Sequence, residues 1–393
     1  MNRLTRRRFI QGCAAGLTLR ALGAFAVESA SRPPGRMIVL FLRGGMDGLF
    51  ALSPVADPRL PEVRPSLART VLARGTALGA TGFAAHPSAK VLADLFVARE
   101  VSFAPCAGTI DTSRSHFQAQ DIFELGSGSA HGNSGFMARA AQALETNLGA
   151  ISFTREVPLC FSGGEIPPEV APLSGSGLKL PEGRLLQAIR AAHRGRRSGD
   201  ALEQAIATEA EIETAMGGME PQAARGAPGA NGLGKIAATM GRILRGNPRL
   251  GLAFLDLGGL DTHANEEAVL SRTLQSIGEG IAVLKEALGE AEWRRTRLAV
   301  MSEFGRTVHE NGTQGTDHGH GGLFLVAGGG IAGGRMIADF KGLADNSLNE
   351  NRDLPVLADW RDLLAACLRD TCGFGDSALS TIFPGRPGQR FAV

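Results

Sequence analysis

The sequence of 393 residues has no tyrosine, 2 tryptophans and 5 cysteines, and only 5% of it is aromatic. No Cys-x-x-Cys pair occurs, and no function follows from the missing tyrosine. Beyond the N-terminus, no run reaches the roughly 18–20 apolar residues of a transmembrane helix, so a membrane span is not expected. The glycine runs at 44–45 and 328–330 do not form Gly-x-Gly-x-x-Gly between a strand and a helix. This argues against a dinucleotide-dependent oxidoreductase.

The N-terminus has the pattern of a twin-arginine export signal. Consecutive arginines at 6–8 precede a weakly apolar Gly/Ala-rich segment, and Ala24-Phe25-Ala26 is a small-x-small cleavage site. Arg20 interrupts this short segment, which favours a cleaved signal over an uncleaved anchor or a basic disordered end. We therefore expect residues 1–26 to be removed and the mature protein to be periplasmic or secreted, with the twin-arginine translocase as its partner during export.

Removal of that segment changes the charge of the protein. The segment holds five arginines and no acid, so without it the formal net charge of +2 becomes −3. The mature chain has no basic stripe, and nucleic acid is therefore not an expected partner. An oxidising compartment would allow one or two disulfides among the remaining cysteines, with a mixture of buried thiols and one bridge as the alternative. These cysteines are Cys106, Cys160, Cys367 and Cys372.

Short apolar runs along the chain are typical of buried parallel strands. They are Met37–Leu42, Val101–Phe103, Leu252–Leu257, Leu298–Met301 and Leu323–Ala327. Between two of them, apolar residues recur at spacings of three and four from Leu270 to Leu288, which predicts an amphipathic helix. The order strand, helix, strand predicts an α/β fold, with a doubly wound, mostly parallel sheet and helices on both faces. A charged, then Gly/Pro-rich stretch near 194–234 predicts an insertion, either a cap over the site or a surface loop.

Polar clusters stand beside four of the predicted strands. The sequence Arg43-Gly44-Gly45-Met46-Asp47 follows the first, Asp261-Thr262-His263 follows the third, and Glu303-Phe304-Gly305-Arg306 follows the fourth. Asp317-His318-Gly319-His320 comes just before the last. Loops at the carboxyl ends of strands in an open α/β sheet meet at one crevice, where ligands bind. These clusters therefore predict one shared site.

Carboxylates and imidazoles together favour a divalent metal, with zinc first and manganese, iron or calcium as alternatives. The expected ligands are Asp47, Asp261, His263, Glu303, Asp317 and His318. The alternative for each Asp is that it caps a turn beside flexible glycines, while the histidines hydrogen-bond to backbone.

Ser115 opens a predicted helix that runs through Leu125. Ser115-x-x-Gln118 has the form of a capping box. A hydroxyl at a helix N-terminus is also well placed as a nucleophile, with Arg114 and Arg306 beside the developing negative charge. Both roles of Ser115 stay open on the sequence alone.

With these motifs, the chain resembles the DUF1501 family, exported proteins of unassigned biochemical role. The resemblance rests on segments that span nearly the whole mature chain. They are residues 41–48, 115–121, 259–263, 302–307 and 315–319. The family is itself similar in fold to the alkaline phosphatase and sulfatase superfamily. That similarity implies a metal ligand at Asp47, a nucleophile at Ser115 (less so Thr112), and further ligands at Asp261, His263 and a late histidine.

One departure from the superfamily pattern bears on activity. Where the superfamily has Asp-His, this chain has Glu303-Phe304, and a phenylalanine cannot bind metal. The pattern predicts an exported metal-dependent hydrolase of phosphate or sulfate esters, with a small anionic ester as substrate. The competing hypothesis is a binding or accessory protein that keeps the fold without catalysis.

Overall fold

A computed structural model describes residues 35–144, 149–154, 157–164, 169–170, 186–187, 190–191 and 232–393. The predicted signal at 1–26 lies outside the described residues, as does nearly all of the predicted insertion near 194–234. No helix in the described ranges is long and apolar enough to cross a membrane.

The described secondary structure alternates between strands and helices along the chain. The strands are β1 (Arg36–Leu42), β2 (Leu52–Ser53), β3 (Thr76–Ala77), β4 (Ala84–Ala85), β5 (Val101–Gly108), β6 (Gly149–Ser152), β7 (Glu169–Val170), β8 (Leu250–Leu257), β9 (Thr296–Ser302), β10 (Gly322–Ala327) and β11 (Ala358–Asp359). The helices are α1 (Gly48–Ala51), α2 (Leu60–Val63), α3 (Arg69–Arg74), α4 (Lys90–Val97), α5 (His116–Leu125), α6 (Phe136–Ala143), α7 (Leu233–Gly246), α8 (Glu266–Leu288), α9 (Glu290–Arg294), α10 (Trp360–Cys372) and α11 (Asp376–Ile382). Short 3-10 turns lie at Pro87–Ala89, Leu159–Phe161 and Asp345–Ser347.

One large sheet contains eight of these strands, in the order β11-β5-β10-β9-β1-β8-β6-β7. All neighbours pair in parallel except β10, which is antiparallel to both β5 and β9. The five predicted strands are confirmed within it. Because β10 runs the opposite way, its first residues lie at the edge where β1, β8 and β9 end.

The central strand β1 shows why helices cover both faces of the sheet. All seven of its residues are buried, and alternate side chains enter different cores. Ile38 and Leu40 pack with helices α4, α7 and α8, whereas Val39 and Phe41 pack with α6, α10 and α11. Burial on both faces explains the unbroken apolar run. The doubly wound, mostly parallel α/β fold predicted from the sequence is confirmed.

Helix α8 confirms the predicted amphipathic segment. The six apolar residues of its stripe are all buried, and they pack in the same core as β1. They are Leu270, Leu274, Ile277, Ile281, Leu284 and Leu288. Burying one such side chain stabilises the fold by about 1.5–3 kcal/mol, so this stripe fixes α8 against the sheet and sets the loop that precedes it.

The predicted disulfides are not formed. Cys106, Cys160, Cys367 and Cys372 are all free thiols, and the first three are buried. Burial raises the pKa of Cys106 and of Cys367 to about 12. The three buried thiols are therefore packing groups, and the single bridge of the mixed alternative is not formed among these four residues either.

Candidate metal centre

Four segments meet at one edge of the large sheet. Asp261 and His263 lie in the loop after β8, Glu303 directly follows β9, and His318 lies in the loop before β10. His116 is the first residue of α5, in the connection that follows β5. The antiparallel direction of β10 brings the His318 loop to this edge, because β10 begins where β8 and β9 end.

Three imidazole nitrogens and one carboxylate oxygen converge there. The Nε2 atom of His318 lies 3.0 Å from Nε2 of His116 and 3.0 Å from Nε2 of His263. The Oδ1 atom of Asp261 lies 3.1 Å from Nε2 of His263, 3.3 Å from that of His318 and 3.5 Å from that of His116. These side chains come from two loops and a helix terminus that are far apart in sequence.

The other nitrogen of each imidazole faces a group that only accepts hydrogen bonds. Nδ1 of His116 lies 2.7 Å from Glu303 Oε1, and Nδ1 of His263 lies 3.2 Å from Asp317 Oδ1. Nδ1 of His318 lies 2.9 Å from the carbonyl oxygen of Arg114. These acceptors assign the proton of each neutral ring to Nδ1. The three Nε2 lone pairs then point at one another with no proton between them, which is unfavourable without a cation.

This donor set fits a tetrahedral divalent cation. Bond lengths of about 2.0–2.1 Å in a tetrahedral zinc site imply ligand separations of about 3.3–3.4 Å, close to the separations given above. A carboxylate or carbonyl behind each ligating histidine is the usual outer layer of such sites, since it orients the ring and fixes its tautomer. The residues therefore fit one metal ion bound by His116, Asp261 and His318, whose ligand atoms all lie within 4.8 Å of one another. His263 lies beside His318 and Asp261 and is a candidate fourth ligand.

The surroundings of the centre favour the deprotonated, metal-binding forms of Asp261 and His318 but not of His116. Burial opposes ionisation of Asp261, but the hydrogen bond and charge of Arg306 outweigh it and lower the pKa of this carboxyl. Burial lowers the pKa of His318. For His116, burial is outweighed by the hydrogen bond and charge of Glu303, so its pKa is raised. A proton on His116 therefore competes with a cation, and metal binding is expected to release it.

Glu303 does not contribute one of the converging atoms, but its carboxylate accepts a hydrogen bond from Nδ1 of His116. Its side chain is fully buried and accepts hydrogen bonds from the Gly44 N–H at 2.9 Å and from Gln120 Nε2 at 2.9 Å. Arg43 donates to Gln120 Oε1 at 2.8 Å, which orients the amide so that its NH2 faces Glu303. Burial opposes ionisation of Glu303, but the bonds from His116 and Gln120 outweigh it and lower its pKa. Glu303 is thus held as an acceptor for His116.

Asp317 likewise lies behind a ligand, as the partner of His263, and it is more than half exposed. Of the predicted metal ligands, the structure therefore brings Asp261, His263 and His318 to the centre. It places Glu303 and Asp317 one layer out.

Asp47 is separate from this cluster. It is fully buried, and both of its carboxylate oxygens accept hydrogen bonds from the guanidinium of Arg64. Burial opposes ionisation of Asp47, and the charge of Arg64 outweighs it, so its pKa is lowered. The structure therefore pairs Asp47 with Arg64 and places it outside the converging group, and its role as a metal ligand stays a prediction.

Arg306 holds the glycine turn together. Its fully buried guanidinium donates to the carbonyl oxygens of Gly44 and Gly45, at 2.6 Å each, and also to Asp261. Gly44 has φ of +119°, and a Cβ there would lie 2.6 Å from the backbone nitrogen of Asp261. This close approach requires glycine. Arg306 therefore orients Asp261, and its predicted place beside developing negative charge on a substrate stays a prediction.

Arg114 acts through its backbone. Its φ of +52° is unusual for a residue with a Cβ, and its carbonyl accepts from His318 Nδ1. Its guanidinium forms ion pairs with the fully buried Asp353, at 2.5 Å, and with Glu350, at 2.6 Å. The side chain of Arg114 is thus paired with two carboxylates, and its predicted role at a developing oxyanion stays a prediction.

Ser115 is the N-cap of α5, as predicted, but the capping box is wrong. The Ser115 side chain makes no capping hydrogen bond, and Gln118 donates to Asp111 at 3.2 Å. The Ser115 hydroxyl thus stays available directly beside the ligand His116.

His116 is a candidate ligand that the sequence alone did not indicate. It directly follows Ser115, the residue predicted as the nucleophile. Phe304, which cannot bind metal, packs its ring against His116 at 4.8 Å and His318 at 5.1 Å between centroids. His116 thus provides a candidate ligand atom beside a phenylalanine that cannot bind metal. The only signal in the sequence was a histidine at a predicted helix start.

The fold and this site define a doubly wound α/β protein with a candidate single-metal centre at its strand ends. The chain belongs to the DUF1501 family, whose model is described as a protein of unknown function and matches residues 106–382. No curated protein sequence matches the chain.

Solved structures with a similar overall arrangement have low sequence identity. One is Ps i-CgsB in complex with k-i-k-neocarrahexaose, with 12% identity, coverage of 89% of this chain and 74% of that chain, and a TM-score of 0.42. Another is the lipoteichoic acid synthase LtaP from Listeria monocytogenes, with 7% identity, coverage of 92% and 78%, and a TM-score of 0.39. Scores of this size carry no argument about activity, so function is argued from the site itself.

Proposed function

We propose that this protein is a metal-dependent hydrolase of phosphate or sulfate esters with one divalent cation, zinc first. The observation that carries the proposal is the convergence of three imidazole Nε2 atoms and one carboxylate oxygen. A bound divalent cation would supply Lewis-acid polarisation of an ester oxygen.

The residues around the centre support the ester chemistry in two ways. Ser115 has a hydroxyl without a capping bond, next to the ligand His116, and is the proposed nucleophile. The first-turn N–H groups of α5 have no partner within the helix and favour an anionic oxygen of the substrate. Asp261 stays ionised because Arg306 lowers its pKa, so it does not compete with substrate for protons.

The test combines metal content with turnover. We expect about one equivalent of metal per chain in the native protein by elemental analysis and hydrolysis of p-nitrophenyl phosphate or sulfate. His318→Ala should lose both, whereas His131→Ala, at an exposed histidine outside the cluster, should lose neither. Ser115→Ala should keep the metal and lose turnover. A metal-free native protein that still cleaves these esters would refute the proposal.

A second candidate function is an accessory or binding protein with a structural metal. It is favoured by the four protein ligands, because structural zinc sites are closed and catalytic ones keep an open position. It is also favoured by Arg114 and Arg306, whose guanidinium groups are committed to protein acceptors. Metal bound at one equivalent with no turnover of any ester would support this candidate over the hydrolase.

We further propose that the protein reaches the periplasm through the twin-arginine route, on the pattern of residues 1–26. Replacing Arg6, Arg7 and Arg8 by lysine should leave the protein in the cytoplasm of fractionated cells. Unchanged export of that variant would contradict the route.

A further inference from the structure

The four ligands of the metal centre are held with unequal firmness. If the centre is catalytic, as proposed above, a substrate oxygen needs a coordination position on the cation. His116, Asp261 and His318 form the compact group, and His263 lies next to two of them as a fourth ligand whose departure would free that position. The side-chain environments of the four ligands show which one is held least firmly.

His116 and His318 are firmly held. Their side chains are 22% and 26% exposed, and both rings pack on Phe304. Behind His116 stands Glu303, which is 0% exposed and fixed by further hydrogen bonds. Behind His318 stands the carbonyl of Arg114, a backbone group whose residue is anchored on the buried Asp353. Neither ring can turn without breaking a buried contact.

Asp261 is more exposed but is also fixed. Its Oδ1 accepts from the fully buried guanidinium of Arg306, which in turn binds the carbonyls of Gly44 and Gly45. Movement of this carboxylate would leave a buried arginine donor unpaired, which costs about 1–3 kcal/mol or more.

His263 differs in each of these respects. Its side chain is 45% exposed, and the partner of its Nδ1, Asp317, is 56% exposed at a distance of 3.2 Å. Its described ring contact is with His318 alone, at 4.8 Å between centroids. The backbone is nevertheless fixed, because its carbonyl accepts from Asn311 Nδ2 and Thr313 Oγ1. A rigid backbone with a loosely held imidazole allows the ring to rotate without disturbing the loop.

We propose that His263 is the displaceable ligand of this centre. Its imidazole turns out toward solvent, and an anionic oxygen of the ester takes the position that it leaves. His116, His318 and Asp261 keep the cation throughout. This proposal rests on the proposed function, since it describes how a complete ligand set admits a substrate.

The test uses cobalt(II) as a visible probe and inorganic phosphate as the anion, and it requires no turnover. Metal-free full-length protein is titrated with cobalt(II), and the absorption spectrum is followed as phosphate is added. His263→Ala is compared with His116→Ala, with Asp317→Asn as a milder second variant and His131→Ala as the control. Circular dichroism checks that each variant folds.

We expect His263→Ala to keep one cobalt with a dissociation constant raised by about 10–100-fold, while His116→Ala binds none. Phosphate should change the spectrum of the native protein, because it displaces His263. In His263→Ala the same change should need at least about tenfold less phosphate, since competition with an internal ligand lowers apparent affinity. Asp317→Asn should fall between these two, and His131→Ala should match the native protein.

Two results would overturn the proposal while leaving the metal site in place. One is loss of cobalt from His263→Ala as complete as from His116→Ala. The other is a native cobalt spectrum that phosphate does not change. The proposed hydrolase fails separately, if cobalt and phosphate behave as expected and no ester is cleaved.

Discussion

Glu303 Oε1 lies 2.7 Å from Nδ1 of His116, so a buried carboxylate fixes the tautomer of a ligand 187 residues away in sequence. The same oxygen accepts from Gln120, whose amide is oriented by Arg43. In this network of hydrogen bonds from Arg43 to His116, the donor and the acceptor of each bond are fixed by the neighbouring bonds. Disturbing it should therefore change the metal centre without removing a ligand.

Glu303→Gln should weaken metal binding. The substituted amide can donate to His116 Nδ1, which moves the ring proton to Nε2 and blocks the lone pair. We expect the zinc dissociation constant to rise by about 10–100-fold, as measured by competition with a chelator. Glu286→Gln, at an exposed position of α8, is the control and should bind zinc normally. Equal affinities in the two variants would show that Glu303 does not set the tautomer.

Arg64→Met should destabilise the fold without emptying the metal centre. It leaves Asp47 buried without its cation, and breaking such a pair costs about 3–5 kcal/mol. The double variant Arg64→Met, Asp47→Asn should recover part of this loss in urea denaturation. Metal content should stay at that of the native protein in both variants. Loss of metal from the double variant alone would restore Asp47 as a ligand.

The pH dependence of stability should report Glu266. Burial, then the charge of Asp47, raise the pKa of this carboxyl to about 9, above the value of about 4.3 for a free glutamate. A raised pKa means that the stability it contributes is complete below pH ~4.3 and is lost as pH rises through the folded value of about 9.

Glu266→Gln removes this titration while keeping a donor for Asp47 and an acceptor for Thr316, which now donates to Glu266 at 2.7 Å. The native protein and the variant should have similar free energies of unfolding at about pH 5, and the variant should gain steadily toward pH ~9. A constant difference across this range would mean that Glu266 is ionised in the folded protein.

Gly44→Ala should destabilise the protein and weaken metal binding together. Its φ is +119°, and the added Cβ would lie 2.6 Å from the backbone nitrogen of Asp261. The side chain of Asp261 is a candidate metal ligand. Gly79→Ala is a matched control, because Gly79 also has a positive φ (+61°) but nothing within 4 Å. The control should cost about 1 kcal/mol from backbone strain alone and keep its metal. Equal effects would show that strain, rather than the close approach, is what matters at Gly44.

Much of the fold follows from local patterns in the sequence. The apolar runs predicted five strands of the large sheet, and the spacing from Leu270 to Leu288 predicted the buried face of α8. These features can be read locally because the spacing of buried side chains is set within a single strand or helix. The same logic placed Asp261, His263 and His318 beside strand ends, and the structure brings all three together.

The composition of the site depended on tertiary structure. β10 pairs antiparallel with both β5 and β9. Because of this direction, the His318 loop that precedes β10 lies at the shared edge. His116 lies at the candidate centre because α5 starts at this edge, whereas Asp47 forms an ion pair with Arg64. Arg306 and Arg114 bind protein acceptors that no short window of sequence contains. Sequence thus determined which elements form, while long-range pairing and the need to satisfy buried charges decided which side chains face the metal centre.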